Sequence, residues 1–371
     1  MTNFKKYFYF SLFAALINLA LIIFIFTPRY DHSDTFQYIS TIENLAGDKT
    51  AEIFPSRILK PLPILLGVFF APVFRAENTL IFQNIFFYLF SICLTYFLVF
   101  RLYHNEKQAF YGTVLYGTSY PMLAYGLASL TDLAGWFFFL AVVLLSLLFL
   151  KNPNFKIAGL TGLVAGFGML FKESTAAAPI FFGSLIFIAA SLPLKEKLKY
   201  ILVFGLSFSF PVLVSSIVVY QLYSISYLDW YKNAWGGAGT KVSGHFYMVS
   251  PLRIIIESAR VFLLGWLFVF LGAAKEIRQI RTERFKILLA FIFPSLSFFV
   301  WSFPHNRMMF IAAPFLVLLG SLGLLKNYQN SKINNLIELF LLSLYVLVNY
   351  VVLEFLLEYG PIIQPPGTLF G

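Results

Sequence analysis

The sequence predicts an all-α, polytopic membrane protein, and three observations carry that reading. Hydrophobic residues fill 59% of the 371 positions and charged residues only 12%, against about half and about a quarter in an ordinary soluble domain. The mean hydropathy is +0.79. The apolar stretches are continuous and about 15–23 residues long rather than short and alternating, which selects helices over a membrane barrel. No third choice exists, because hydrocarbon offers no partner to an unpaired backbone N–H or C=O.

Eleven stretches read as spans. Residues 7–27 follow Lys5 and Lys6. The run is too long for a signal peptide and no small-residue cleavage site follows, so it reads as an uncleaved first span. Next come 78–100, then 108–124, which closes on Ser119-Tyr120-Pro121, then 133–150, which opens after Thr131-Asp132. The span 157–171 carries Ala158, Gly162 and Gly166 at four-residue spacing, a face on which two helix backbones can approach closely. Spans 174–193, 200–222, 257–274, 287–303, 308–325 and 334–355 complete the set. Residues 61–74 are apolar but number about 14, too few to cross about 30 Å of hydrocarbon. Pro61, Pro63 and Pro72 also interrupt them. They are expected to form a re-entrant or interfacial helix inside a long first outer loop, 28–77. A second long outer loop covers 223–256. With short connections elsewhere, residues 1–371 are expected to be a single transmembrane domain.

Charge placement supports this arrangement. With the N-terminus inside and 61–74 not crossing, one face collects 16 of the 27 Lys and Arg with five acids, and the other holds 11 basic and 12 acidic residues. The net charge of +10 therefore sits on the cytoplasmic side, as the positive-inside rule requires, and nucleic acid is not the expected partner. The single cysteine, Cys93, makes no intramolecular disulfide. The spans carry almost no charge and no convincing internal repeat, which argues against a pump, a channel or a repeat-built transporter.

The charged residues that stand out are at the outer ends of spans and in the outer loops: Asp31, Asp34, Arg57, Lys60, Asp132, Lys172, Glu173, His305 and Arg307. A site built there would lie at the outer membrane–water boundary, within reach of a lipid-borne head group and a water-borne acceptor. Asp34 and Gln37 have capping-box spacing at the start of a short helix. The alternative is a general base whose apolar surroundings raise its pKa toward the working pH. Asp132 reads as a helix N-cap or an acid of the site. Lys172-Glu173 reads as a solvated interfacial pair or part of the site. Arg307 reads as a snorkelling side chain or a phosphate clamp, for which the guanidinium fork is suited. His305 assists it or is a loop histidine. Asp31, His32 and Asp34 are metal-capable, but three such residues in a row do not define a metal site, so a divalent metal stays possible and no cofactor is certain. Tyr227, Trp230, Tyr231 and Trp235, followed by Gly236-Gly237-Ala238-Gly239, form an interfacial aromatic belt or a lid that orders over a substrate.

The order of motifs resembles the GT-C superfamily of integral-membrane glycosyltransferases, which includes protein O-mannosyltransferases and aminoarabinose transferases. The carriers are Asp34-Thr35-Phe36-Gln37-Tyr38 after the first span, Arg57-Ile58-Leu59-Lys60-Pro61, Ser119-Tyr120-Pro121 and Thr131-Asp132. The glycine-rich stretch from Gly162 to Lys172 follows, then Asn306-Arg307 with Pro314. Together they span most of residues 1–325. The resemblance implies an inverting transferase that takes a sugar from a polyprenyl-phosphate donor, with Asp34 as the base and Asp31 as its competitor. It makes Asp132 an orienting acid, and Arg57, Lys172 and Arg307 phosphate and lipid-head contacts. It also implies a plasma (inner) membrane protein working on the outer face among membrane lipids. The acid pair of the protein O-mannosyltransferases is absent, since Thr35 follows Asp34, so a glycan or lipid acceptor is expected rather than a protein. Two alternatives stay open: a transporter or flippase of lipid-linked sugars, and a non-catalytic membrane subunit of an envelope assembly complex.

Overall fold

The structure, a computed structural model, describes residues 2–26, 33–229, 251–297, 306–325 and 331–363. In chain order the helices are α1 (Thr2–Leu21), α2 (Ser33–Ala46), α3 (Pro55–Ile58), α4 (Pro61–Tyr103), α5 (Glu106–Gly117), α6 (Asp132–Lys151), α7 (Phe155–Phe171), α8 (Ala177–Ile188) and α9 (Leu194–Tyr223). They continue as α10 (Pro251–Phe262), α11 (Gly265–Ile277), α12 (Glu283–Ala290), α13 (Ile292–Ser295), α14 (Asn306–Met309), α15 (Ala313–Leu324) and α16 (Ser331–Ile363). Short polar residues set the starts at one end of the bundle. The Asn105 side chain accepts from the Gln108 N–H at 2.9 Å, and Asn154 does the same for Ile157 at 2.8 Å, each satisfying a helix-start donor that has no intrahelical partner.

Among the described residues six helices are long and apolar enough to cross a membrane, and a seventh if the bent pair α10–α11 counts as one. The stretches Phe155–Phe171 and Glu173–Ile188 are apolar but shorter. The chain is a multi-pass membrane protein. Its helices run to and fro between two ends. One end gathers α2, α3 and the starts of α6 and α14; the other gathers the starts of α5, α12 and α16 and the ends of α4 and α11.

Two expected elements take a different form. Residues 61–74 are continuous with the next span, and the break is at Arg75, whose φ of 60° and ψ of 152° are non-helical. A straight helix would separate residues 63 and 83 by about 30 Å. Instead the Gln83 side-chain amide donates to the Pro63 carbonyl at 3.2 Å, and Phe74 stacks on Phe82 at 4.2 Å. The segment folds back on the span that follows. It also buries Ile64 against Tyr38 and Ile42 of α2, which fixes the first-loop helix to the bundle. The expected single span 257–274 is two helices, α10 and α11, crossing at 86°. The kink falls at Leu263, whose φ is 41°.

Glycine lets the layers close up, as the small-residue face in 157–171 predicts. A methyl group on Gly162 would meet the Phe204 carbonyl oxygen of α9 at 2.2 Å. Gly272 of α11 and Gly323 of α15 face each other in the same way, each placing a would-be Cβ 1.9 Å from a carbonyl oxygen of the opposite helix. The middle of the bundle carries hydrogen-bonded polar groups. Asn18 of α1 donates to Tyr88 Oη at 2.7 Å and to the Gly117 carbonyl at 3.1 Å, and Tyr345 of α16 donates to the Leu115 carbonyl at 2.8 Å.

Candidate active site

The site begins with the loop before α6. Residues Leu127 to Thr131 are buried yet make no regular structure, so their carbonyls need partners. The Asn84 amide of α4 supplies two bonds, to Ala128 at 2.6 Å and Leu130 at 2.8 Å. Thr35 Oγ of α2 donates to the Ser129 carbonyl at 3.0 Å, and Tyr38 Oη pairs with Thr131 Oγ at 3.0 Å. The first loop is thereby fixed to the loop that presents Asp132, and Asp34 lies on the same helical turn as Thr35.

On this frame seven charged side chains form one chain of ion pairs. Arg57 Nη2 lies 2.6 Å from Asp34 Oδ1. Arg307 Nη2 lies 3.3 Å from Asp34 Oδ2, and Arg307 Nη1 lies 3.9 Å from Asp132 Oδ2. Lys172 Nζ is 3.2 Å from Asp132 Oδ1 and 4.0 Å from Glu173 Oε1. Lys60 Nζ is 2.6 Å from Glu173 Oε2. Four cations thus meet three carboxylates. Exposure grades along the chain: the side chains of Asp132 and Lys172 are 2% and 3% exposed, while those of Asp34 and Arg307 are 25% and 21% exposed. A ligand from outside would therefore meet Asp34 and Arg307 first, with Asp132 and Lys172 behind them.

Local packing explains how Lys172 reaches Asp132. A Cβ on Gly135, one turn into α6, would lie 2.5 Å from Ser174 Oγ and 2.9 Å from Lys172 Cβ. Only a glycine admits the 172–175 turn this closely, and Thr175 Oγ donates to the Gly135 carbonyl at 3.4 Å. Arg57 is equally well placed. Its Nε and Nη2 donate to Gln37 Oε1 at 2.9 and 2.7 Å, and its guanidinium lies 4.8 Å from the centre of the Tyr38 ring.

The electrostatics correct one expectation. Burial does work to raise the Asp34 carboxyl, but Arg57, Lys172, Arg307 and Lys60 outweigh it and hold the group well below the usual carboxylate range. Apolar surroundings do not set its pKa; cations do. Burial likewise opposes the charge on Lys172, but Asp132 and Glu173 raise its pKa above the ordinary lysine value. Lys172 and Glu173 are therefore not a solvated interfacial pair. The capping-box reading is also displaced: Asp34 and Gln37 both spend their side chains on Arg57.

Of the charged residues singled out from sequence, the structure brings together Asp34, Arg57, Lys60, Asp132, Lys172, Glu173 and Arg307. Asp31 and His305 lie outside the described residues, as do His32 and the aromatic and glycine run 230–239. Tyr227, just before that run, donates to the Leu59 carbonyl and so ties the end of α9 to the Arg57–Lys60 segment. Sequence reasoning missed Gln37 and Asn84 as supports, and missed the Lys60–Glu173 pair. The signal for Asn84 was present, a pair of adjacent amides, Gln83-Asn84, inside an apolar run.

Among the described residues no three His, Cys, Asp or Glu side chains converge as a metal site. Asp34 is already held by two guanidiniums, and a divalent ion would have to displace Arg57 or Arg307 to reach it. Asp31 and His32, the other metal-capable residues of the first loop, lie outside the described residues.

A family model described as dolichyl-phosphate-mannose-protein mannosyltransferase matches residues 62–216, less than half of the chain. No curated protein matches the sequence. By structure the chain is similar to ArnT from Cupriavidus metallidurans, bound in its crystal structure to undecaprenyl phosphate. The TM-score is 0.59 at 13% identity, covering 98% of this chain and 66% of ArnT. It is also similar to the oligosaccharyltransferase of Archaeoglobus fulgidus, in complex with Zn and sulfate, with a TM-score of 0.50 at 14% identity, covering 91% of this chain and 50% of that one. The chain thus spans about two thirds of the length of the first and half of the second. Its fold is that of the GT-C membrane glycosyltransferases.

Proposed function

We propose that the protein is an inverting glycosyltransferase that moves a sugar from a polyprenyl-phosphate donor to a hydroxyl of a glycan or lipid acceptor. The observation that carries this reading is the position of Asp34, a part-exposed carboxylate between two guanidiniums, Arg57 and Arg307, at the open end of a cation-rich cluster. The family match and the GT-C fold, whose ArnT example binds undecaprenyl phosphate, support it.

In the proposed reaction the acceptor oxygen attacks the anomeric carbon while the bond from that carbon to the phosphate oxygen breaks. The acceptor proton goes to Asp34, and polyprenyl phosphate leaves with the bonding pair. Such a displacement passes through an oxocarbenium-like state. A phosphate leaving group needs charge neutralisation more than protonation, and fixed cations in a partly dry site provide it. Arg307 and Arg57 take that role at the open end. Asp132 holds Arg307 and Lys172 in place behind them.

The positive-inside charge bias supports an N-terminus in the cytoplasm and a site on the outer face of the plasma (inner) membrane. The test is mass spectrometry of products after incubating the reconstituted protein with a panel of polyprenyl-phosphate sugars and membrane glycan or lipid acceptors. A sugar-bearing acceptor together with released polyprenyl phosphate is the expected outcome. Passage of lipid-linked sugar across the vesicle without any product would replace this reading with the flippase one.

A further inference from the structure

Asp34 carries a conflict that the proposed function must resolve. A carboxylate held by two arginines is a poor proton acceptor, because a proton arriving there must break the pairing. The same two arginines are the cations nearest that carboxylate, Arg307 part-exposed at 21% and Arg57 buried at 8%. Arg57 Nη2 and Arg307 Nη2 lie 2.6 and 3.3 Å from the two oxygens of Asp34, so the carboxylate fills the place between them.

We propose that Asp34 and the donor phosphate compete for the Arg57–Arg307 pair, so that docking of the phosphate releases Asp34 and makes it a competent base only once the donor is in place. This rests on the polyprenyl-phosphate reading above and deepens it with an order of binding, donor before acceptor.

The geometry favours exchange over collapse, because neither arginine depends on Asp34 alone. Arg57 keeps Gln37, at 2.9 and 2.7 Å, and the face of Tyr38 at 4.8 Å. Arg307 keeps Asp132 at 3.9 Å. Asp132, almost fully buried, is itself anchored by Lys172 at 3.2 Å. Asp34, more exposed, sits in the first turn of α2 and is the member of the cluster with room to turn aside. A phosphate accepts from guanidinium forks in the same bidentate manner as a carboxylate, so the arginines need not move far to change partner. The charges facing Asp34 come from several elements: Arg57 on α3, Lys60 just before α4, Lys172 after α7 and Arg307 on α14. A bound phosphate screens these cations and removes what holds the carboxyl low. Once Asp34 has taken the acceptor proton it no longer competes, and its return to the arginines on losing that proton helps to expel polyprenyl phosphate.

The experiment uses the full chain in nanodiscs with undecaprenyl phosphate as the probe, comparing wild type with Asp34→Asn. Competition requires that the neutral variant bind the probe more tightly, by at least about fivefold, the low end for linked binding events. Linkage is reciprocal, so adding the probe to the wild type must raise the pH at which one aspartate carboxyl band titrates. Infrared difference spectra read this directly, and the band must be missing in Asp34→Asn. Equal or weaker binding by Asp34→Asn, or no carboxyl shift in the wild type, overturns the exchange and leaves the glycosyltransferase reading standing. Failure of both proteins to bind the probe overturns the donor reading and the exchange with it.

Discussion

At the end of the bundle that holds Asp34, each of Asp34, Asp132 and Glu173 lies within 4.0 Å of two cations, in one connected chain. At the opposite end the carboxylates sit in separate pairs. Glu338 of α16 meets Lys107 of α5 and accepts from Tyr111 at 2.9 Å. Glu276 of α11 lies 2.7 Å from Arg284 of α12, whose guanidinium covers the Tyr103 ring at 5.0 Å. A cavity of about 370 Å³ at that end is lined by Lys275, Arg278 and Arg284 among others. Two of these cations are already spent, Arg284 on Glu276 and Lys275 on the carbonyls of Leu322 and Leu325 that end α15. The difference is one of exchangeability. In a shared network a charge that loses one partner keeps another, so a ligand can step in. Where a buried carboxylate has one close cation, as Glu338 has in Lys107, losing that cation leaves its charge under-compensated, so the pair serves to staple helices.

The largest effect that would separate the two ends is chemical. Asp34→Asn is expected to lower turnover by about 10²- to 10⁴-fold, the usual contribution of a general base, while the protein still inserts and folds. Lys107→Met is expected to do the reverse. It leaves Glu338, 2% exposed at its side chain, buried without its cation, a loss of roughly 3–5 kcal/mol in buried pairs. Thermal unfolding in detergent reads that loss, and turnover of the folded fraction should stay at the wild-type level. A turnover defect in Lys107→Met as large as that of Asp34→Asn would erase the distinction.

A smaller effect sharpens the comparison within the site. Arg307→Ala should weaken donor binding by about tenfold or more, since hydrogen bonds to charged groups contribute roughly 1.5–3 kcal/mol. Donor titration measures it. Unchanged affinity would remove Arg307 from the phosphate contacts. Below this in size come the glycine contacts that keep the two ends in register. Gly323→Ala places a methyl group 1.9 Å from the Phe268 carbonyl oxygen, and overpacking of this kind costs about 1–3 kcal/mol. Unfolding temperature should fall with the donor affinity unaltered.

Much of this was legible in the sequence, for physical reasons. Apolar length announces helices because the bilayer allows little else, and scarce charges in such a chain draw attention wherever they occur. That scarcity singled out Asp34, Asp132, Arg57, Lys172 and Arg307, which do converge. What was not legible depends on partners distant in sequence. Nothing local in residues 61–74 says that Arg75 will adopt a positive φ and fold the segment back on Gln83. Nothing local in residues 257–274 marks the kink at Leu263. The environment of Asp34 was misjudged for the same reason. Its neighbours in sequence are Thr35, Phe36 and Tyr38, but its neighbours in space are cations from residues 57, 60, 172 and 307.

The pH dependence follows from those cations and is the smallest effect expected under ordinary conditions. A carboxyl whose pKa is depressed in the folded protein stabilises it above the unfolded value, about 3.9 for aspartate, and loses that contribution as pH falls through the lower folded value. Asp34 is such a group. The difference in unfolding temperature between wild type and Asp34→Asn should therefore stay flat from about pH 5 to pH 8 and change only in stronger acid. A break near neutral pH would mean that apolar burial governs the group after all. With undecaprenyl phosphate bound the arginines are engaged elsewhere, and the acid edge of the flat region should move upward. The opposite end offers the control. Glu338 stays with Lys107 whatever the donor does, so the difference in unfolding temperature between wild type and Lys107→Met should be the same with and without undecaprenyl phosphate.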